Sequence, residues 1–333
     1  MKYSLGQAPY PNRRQLFAAA AACACPTWLS AQTVPGGASN PPIDALWTDR
    51  QRQRALPVRL RIPPGNAPFG VVVYSHGLGG NRAGGDVWGA AWMQAGLGVL
   101  HVQHPGSDTE ALRDGVLALR RAASAENLLL RADDVKFVLD EITRRHGAGD
   151  ALWRRARLDA VGMAGHSFGA RTTQALAGER FPRGANQGEA RIKAFIALSP
   201  NMGQGAMSAA QRYGGINRPF LCVTGTLDDD PLHGGSGVEQ RMQVYAGLPP
   251  GAKAQLVLDG ADHTTLGGNA QPPRGAGRRQ RPPIAQEREA AHHTLVARLS
   301  VDWWRANLSG DAAARDALRA PAGLGVGDVW SVG

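Results

Sequence analysis

Cysteine is nearly absent from this 333-residue chain: only Cys23, Cys25 and Cys222 occur. The first two fall in an N-terminal segment with the marks of an export signal. A processed chain would keep Cys222 alone and could form no internal disulfide. Cys222 stands in the apolar run Pro219 to Val223 and reads as an inert core residue. No Cys pair and no His-Glu-x-x-His is present, so the sequence offers no metal-binding signature and implies no cofactor. Aromatic residues make up only 6% of the chain, and acidic residues (27) are outnumbered by Lys and Arg (37). The resulting formal charge of +10 is spread along the chain, with one cluster at Arg274, Arg278, Arg279 and Arg281. Basic and aromatic residues do not alternate and no nucleic-acid motif occurs, so the excess reads as a solvated surface with weak attraction to anionic lipid or envelope polymer.

Long apolar runs are also missing. The longest near the N-terminus, Leu16 to about Cys25, is too short to span a bilayer. It follows Arg13 and Arg14, and Leu29-Ser30-Ala31 precedes Gln32, so residues 1–31 read as an export signal similar to the bacterial twin-arginine type. An ordinary Sec signal is the alternative, and Cys23 after Ala20-Ala21-Ala22 leaves room for a lipoprotein anchor. The expected location is periplasmic or secreted. Residues 32–55 read as a linker and lead-in, 56–308 as one catalytic domain, and 309–333 as a tail without a strong pattern.

Glycine, by contrast, is plentiful (43 residues), and it accompanies a regular alternation of elements. Val58–Ile62 alternates apolar and polar as an outer antiparallel strand does. Phe69–Tyr74, Leu97–Val102, Ile192–Leu198, Pro219–Thr224 and Ala254–Leu258 are continuous apolar runs suited to strands buried on both faces. Helical periodicity marks Trp88–Gln94, Ala132–Arg145 and Glu287–Asn307. Residues 104–130 form a longer connection with a helical patch at Leu112–Arg121, and 268–283 reads as a loop. Strands alternating with helices predict an α/β protein with a mostly parallel sheet covered on both faces, without internal repeat or second domain.

Within this pattern, a short apolar run, Ala160 to Ala164, leads into Gly165-His166-Ser167-Phe168-Gly169, followed by a helix-compatible run through Leu176. Gly-x-Ser-x-Gly arises by chance in a chain rich in Gly and Ala. Between a strand and a helix it has the context of a nucleophile elbow, in which a sharp turn lifts the serine clear of the sheet. A serine hydroxyl needs a histidine to take its proton and a carboxylate to orient that histidine. After the next strand but one, Val223-Thr224-Gly225 opens into Thr226-Leu227-Asp228-Asp229-Asp230. Asp228 is the first choice for the acid, Asp229 the second, and the remaining acids read as turn formers. His263 follows the last strand of the run and precedes the closing helix. His233 is a candidate for the pocket rim, and His101 and His104 for substrate contact. His166 reads as packing beneath the elbow, and His292 and His293 as surface or packing residues. The N–H donors for a negative oxygen would be Phe168, next to the nucleophile, and Leu78, in the glycine-rich turn Ser75-His76-Gly77-Leu78-Gly79.

Those two motifs together resemble the α/β-hydrolases of the platelet-activating-factor acetylhydrolase and dienelactone-hydrolase-like group, over about residues 56–308. The resemblance implies the α/β-hydrolase fold and a lipase/esterase-type serine hydrolase. It implies oxyanion donors at Leu78 and Phe168, and a preference for short or water-exposed acyl chains, including acetyl esters of phospholipids. The chain departs from the plasma acetylhydrolases after Ile192–Leu198, where Ser199-Pro200-Asn201 carries no acid. Asp228, one strand later, is at the site used by bacterial polyester hydrolases and general esterases. True dienelactone hydrolases carry Cys where this chain has Ser167. The expected partner is a small-molecule or lipid ester, and the oligomeric state is open. The alternatives are a polyester or cutinase-like depolymerase, for which Trp88 and Trp92 could line an aromatic cleft, and a catalytically silent binding protein on the same fold.

Overall fold

Alternation of side chains along the strands divides the core in two. In the computed structural model, which describes residues 40–113, 116–182, 186–203, 205–229, 237–270 and 281–333, Val71 and Val73 face one apolar layer, while Val72 and Tyr74 face the other. The same period of two sends Phe195 and Ala197 to the first layer and Ile196 and Leu198 to the second. Strands buried on both faces carry no polar stripe, which is why they read as unbroken apolar runs.

The strands are β1 (Ile43–Asp49), β2 (Arg54–Arg61), β3 (Phe69–Ser75), β4 (Gly98–Val102), β5 (Ala156–His166), β6 (Ile192–Leu198), β7 (Phe220–Leu227), β8 (Lys253–Asp262) and β9 (Val329–Val332). The helices are α1 (Asp86–Gln94), α2 (Val116–Ala122), α3 (Ala125–Gly147), α4 (Phe168–Ala177), α5 (Ala209–Tyr213), α6 (Val238–Gly247), α7 (His263–Leu266), α8 (Pro283–Leu308) and α9 (Ala312–Ala317). The sheet order is β1-β2-β4-β3-β5-β6-β7-β8-β9. From β4 to β8 all pairs are parallel; β1, β2 and β9 run antiparallel to their neighbours. Helices α3, α4, α5 and α6 supply one apolar layer, and α1, α8 and α9 the other. The chain is thus α/β, with a mostly parallel sheet between two helical layers.

The expected strands and principal helices are all present, with different limits. Helix α3 starts at Ala125, seven residues before the expected Ala132, because Ser124 accepts a hydrogen bond from Asn127 N and caps it. Strand β1 occupies part of the 32–55 lead-in. The 309–333 tail holds α9 and β9, whose Trp330 donates to Leu318 O. These two edge strands carry no continuous apolar run because most of their side chains stay exposed or half-buried. The export segment 1–31, residues 32–39, His233 and residues 271–280 lie outside the described residues. No helix among the described residues is long and apolar enough to cross a membrane.

Candidate active site

Because β3, β5, β7 and β8 are parallel, their C-terminal ends share one edge of the sheet, the usual place for a ligand crevice in such folds. Ser167 lies between the end of β5 and the start of α4, with φ 56° and ψ −113°. A non-glycine residue rarely adopts this backbone, at a cost of about 1–3 kcal/mol. Its neighbours make it possible. A Cβ on Gly165 would stand 2.3 Å from Gly169 O, and one on Gly169 would stand 1.9 Å from Ser75 O. Only glycines allow β5, α4 and the end of β3 to approach so closely.

The acid and the histidine meet directly. His263 Nδ1 donates to Asp228 Oδ1 at 2.8 Å. Asp228 is fully buried, and its other oxygen accepts from Thr224 Oγ1 at 2.9 Å. Burial pushes the Asp228 carboxyl up, but the His263 hydrogen bond and the Arg241 charge outweigh it and leave it below the usual carboxylate range. Asp229 is exposed, its N–H on Leu227 O. Of the two candidate acids, Asp228 is the one joined to His263.

His263 opens the four-residue helix α7. The Asp262 side chain caps it through Thr265 N (2.8 Å), and Arg281 Nε holds the second Asp262 oxygen at 2.8 Å. Trp88 Nε1 donates to Leu266 O (3.3 Å) at the other end. The His263 ring lies 4.6 Å, centroid to centroid, from that of His166, whose Nε2 donates to His263 O at 3.0 Å. Burial holds His166 down at about 3, so it stays neutral. His166 is therefore more than packing beneath the elbow. It joins the residue before Ser167 to His263. Ser167 Oγ itself makes no hydrogen bond to another described residue.

The two expected N–H donors are both unclaimed among the described residues. Neither Leu78 N nor Phe168 N donates to another group. The Leu78 N–H is oriented through its own peptide plane. Gly77 O, at the opposite end of that planar unit, accepts from His76 Nδ1 (2.6 Å) and from Gly80 N (3.1 Å). The His76 tautomer is fixed because its Nε2 accepts from His104 N at 3.1 Å, so Nδ1 carries the proton. Burial first, then the Arg131 charge, keeps His76 neutral.

Other expectations are corrected. His101 and His104 do not face a substrate. Both are buried, His101 with Nδ1 on Gly84 O and His104 within the network described below. Trp88 and Trp92 are 1% exposed and pack between the sheet and α8, so they line no cleft. His292 and His293, in contrast, are packing residues, one of the two expected roles: His292 is buried, and His293 Nε2 donates to Thr265 O.

Beside the His263–Asp228 pair lies a buried cation, Arg241, that no sequence motif marks. Arg241 donates from Nε to Asp228 O (2.6 Å), with the same nitrogen 3.2 Å from Asp228 Oδ1, and from Nη1 to Ser199 O and Pro200 O. Its Nη2 lies 3.4 Å from His263 Nδ1. Both atoms are donors, so this is an approach of charge and not a bond. Among the described residues no cluster of His, Cys, Asp or Glu is placed to hold a metal ion. Two small clefts, one beside Val71 and Val161 and one beside Phe220 and Lys253, lie at the opposite, N-terminal ends of the strands. A scan of protein-family models finds no match to this chain, and a search of curated proteins finds none either.

Proposed function

We propose that the chain is an α/β-hydrolase-fold serine esterase acting on short-chain carboxylic esters, small-molecule or lipid, as its resemblance to the acetylhydrolase group implies. The observation that carries this is the His263–Asp228 pair held against the residue preceding Ser167, itself in a strained turn beside two unclaimed N–H donors. The sheet order supports the hydrolase fold.

In this reading His263 Nδ1–H stays on Asp228, which leaves Nε2 to take the Ser167 proton as Oγ bonds to the ester carbonyl carbon. The carbonyl oxygen becomes an oxyanion held by Leu78 N–H and Phe168 N–H. As the carbonyl re-forms, the bond to the alcohol oxygen breaks, and His263 Nε2 returns its proton to the departing alkoxide. An acyl-Ser167 remains. Water attacks it, giving one proton to His263 Nε2. The acid then leaves and Ser167 Oγ recovers that proton. We also propose an exported enzyme, processed after Ala31, with a basic surface weakly drawn to anionic membrane. The burial of Trp88 and Trp92 removes the aromatic cleft on which the polyester reading drew.

The test is hydrolysis of p-nitrophenyl esters from acetate to palmitate by the wild-type protein beside Ser167→Ala. The expected result is turnover that is greatest on the shortest chains and absent in the variant. Wild-type protein that turns over none of them, or a variant as active as wild type, would overturn the reading.

A further inference from the structure

Beneath the loop that carries Leu78 lies a second serine, histidine and aspartate in hydrogen-bond order. Ser75 Oγ is 2.9 Å from His104 Nε2, and His104 Nδ1 is 3.0 Å from Asp134 Oδ2. All three are fully buried. Arg131 Nη2 donates to Ser75 Oγ at 3.0 Å, so the Ser75 proton points to His104 Nε2 and the His104 Nδ1 proton to Asp134. Asp134 also receives Arg52 and Arg54. The polarity therefore runs one way, from the Arg131 guanidinium to the Asp134 carboxylate.

Arg131 is the member of this network that reaches the candidate site. It is fully buried in α3, where a charge is costly unless every donor is used. Its Nη2 also donates to His76 O, the carbonyl just before the Gly77–Leu78 peptide. Its Nη1 donates to Ser107 Oγ (3.1 Å) and its Nε to Thr172 Oγ1 (3.1 Å) in α4. The guanidinium carbon stands 4.7 Å from the centroid of the Phe168 ring. One rigid planar group thus touches the segment carrying Leu78 N–H and the helix turn carrying Phe168 N–H.

We propose that Arg131 is a positioning residue that sets the spacing of the two oxyanion donors, with Ser75, His104 and Asp134 serving as its buried mount rather than as a second reactive set. The proposal rests on the esterase reading above. It accounts for a complete Ser-His-Asp order at a place sealed from solvent. The order orients the cation, and the cation orients the loop.

The experiment compares wild type with Arg131→Met, Arg131→Lys and Thr172→Val, each normalised by titrating Ser167 with a fluorophosphonate and reading intact mass. The readouts are kcat and KM on p-nitrophenyl acetate, and the affinity of a trifluoromethyl ketone, whose adduct places an oxyanion between the two N–H groups. Arg131→Met should lower kcat per titrated site about 10- to 100-fold, with KM within about twofold and ketone affinity reduced in parallel. Arg131→Lys and Thr172→Val should fall between it and wild type. A purely structural role would reduce the titratable fraction and leave kcat per site and ketone affinity unchanged, and that result would overturn the proposal. If Arg131→Met does not fold, the same two readouts on Thr172→Val and Arg131→Lys decide. If wild-type Ser167 takes no fluorophosphonate and turns over no ester, the esterase reading fails and this one with it. A labelled, active wild type beside unaltered variants defeats this one alone.

Discussion

Two His–Asp pairs stand in this molecule, one proposed to serve Ser167 and one bound to Ser75, and their hydrogen bonds are nearly the same length. His263 Nδ1 to Asp228 is 2.8 Å and His104 Nδ1 to Asp134 is 3.0 Å. By the acid–histidine pair alone they could not be told apart. The differences lie at the serine. Ser75 closes a regular strand, its hydroxyl is bound to His104 and Arg131, and it is sealed from solvent. Ser167 sits in a strained turn, partly exposed, with a hydroxyl and two N–H groups that no other described residue claims. The His263 side chain keeps 16% of its surface, while that of His104 keeps none. Reactivity in such a set requires a hydroxyl that is reachable and uncommitted, and donors waiting for a charge that has not yet formed. A fully satisfied set is a strut.

The sharpest way to break this comparison is at the serines. Ser167→Ala should lower kcat by about 10⁴- to 10⁶-fold. Ser75→Ala should keep activity within about tenfold and still be labelled at Ser167 by a fluorophosphonate, read by intact mass. Folded Ser75→Ala protein without labelling would show that the buried set takes part in the chemistry.

The acids should invert in rank between activity and stability. Asp228→Asn should cost about 10⁴-fold in kcat, because the amide no longer holds His263 in the productive tautomer. Asp134→Asn leaves Arg52 and Arg54 facing a neutral amide and should cost about 3–5 kcal/mol in urea unfolding, more than Asp228→Asn does. Equal losses of activity per titrated site would remove the distinction.

The residues of the accessible candidate site stand out in the sequence and those of the buried network do not, for a physical reason. Ser167, Asp228 and His263 each follow a strand, and strand ends in a parallel sheet are marked by an apolar run breaking into glycine or polar residues. The glycines at 165 and 169 report the close approach directly. Arg131, Asp134 and Arg241 lie inside helices, where a charged residue normally marks the solvated face. One signal was available. Arg131 is four residues before Val135, on the same stripe as Val138 and Ile142, so a charge stands in an apolar register. Starting the helix at Ala132 cut that residue off. The central sheet was legible because both faces are apolar. The edge strands β1 and β9 were not, since their mostly exposed or half-buried side chains leave a short and mixed pattern.

Gly169 is where the two sets touch, and it offers a smaller effect. In Gly169→Ala the new methyl would meet Ser75 O, backbone against backbone, so α4 or the end of β3 must shift. The expected cost is about 1–3 kcal/mol, with kcat falling because the Phe168 N–H moves with the helix. Gly147→Ala, at the end of α3 with open space around it, should be neutral or stabilising by up to about 1 kcal/mol. Melting temperatures measured beside kcat separate the two outcomes. A Gly169→Ala protein indistinguishable from Gly147→Ala would deny the contact.

The remaining effect is a slope that emerges only in acid. Burial first, then the Arg131 charge, lowers His104 to about 4 against the partial compensation of Asp134, so the folded protein keeps this ring neutral through mild acid. In the unfolded chain it takes a proton near its ordinary value of about 6.5. Between those values the unfolded state binds the extra proton, so this residue's contribution to stability is fully present above about pH 6.5. It diminishes as pH falls toward 4, by about 1.4 kcal/mol per pH unit at most. His104→Gln keeps donor and acceptor groups on the side chain and removes the titration. Its urea-unfolding free energy should therefore fall less steeply than wild type from pH 6.5 to 4, by up to one proton's worth, while the two slopes coincide above pH 7. Identical slopes across the acid window would mean that His104 is protonated in the folded protein. The Ser75 hydroxyl could then not donate to it, and the direction assigned to the buried network would have to be reversed.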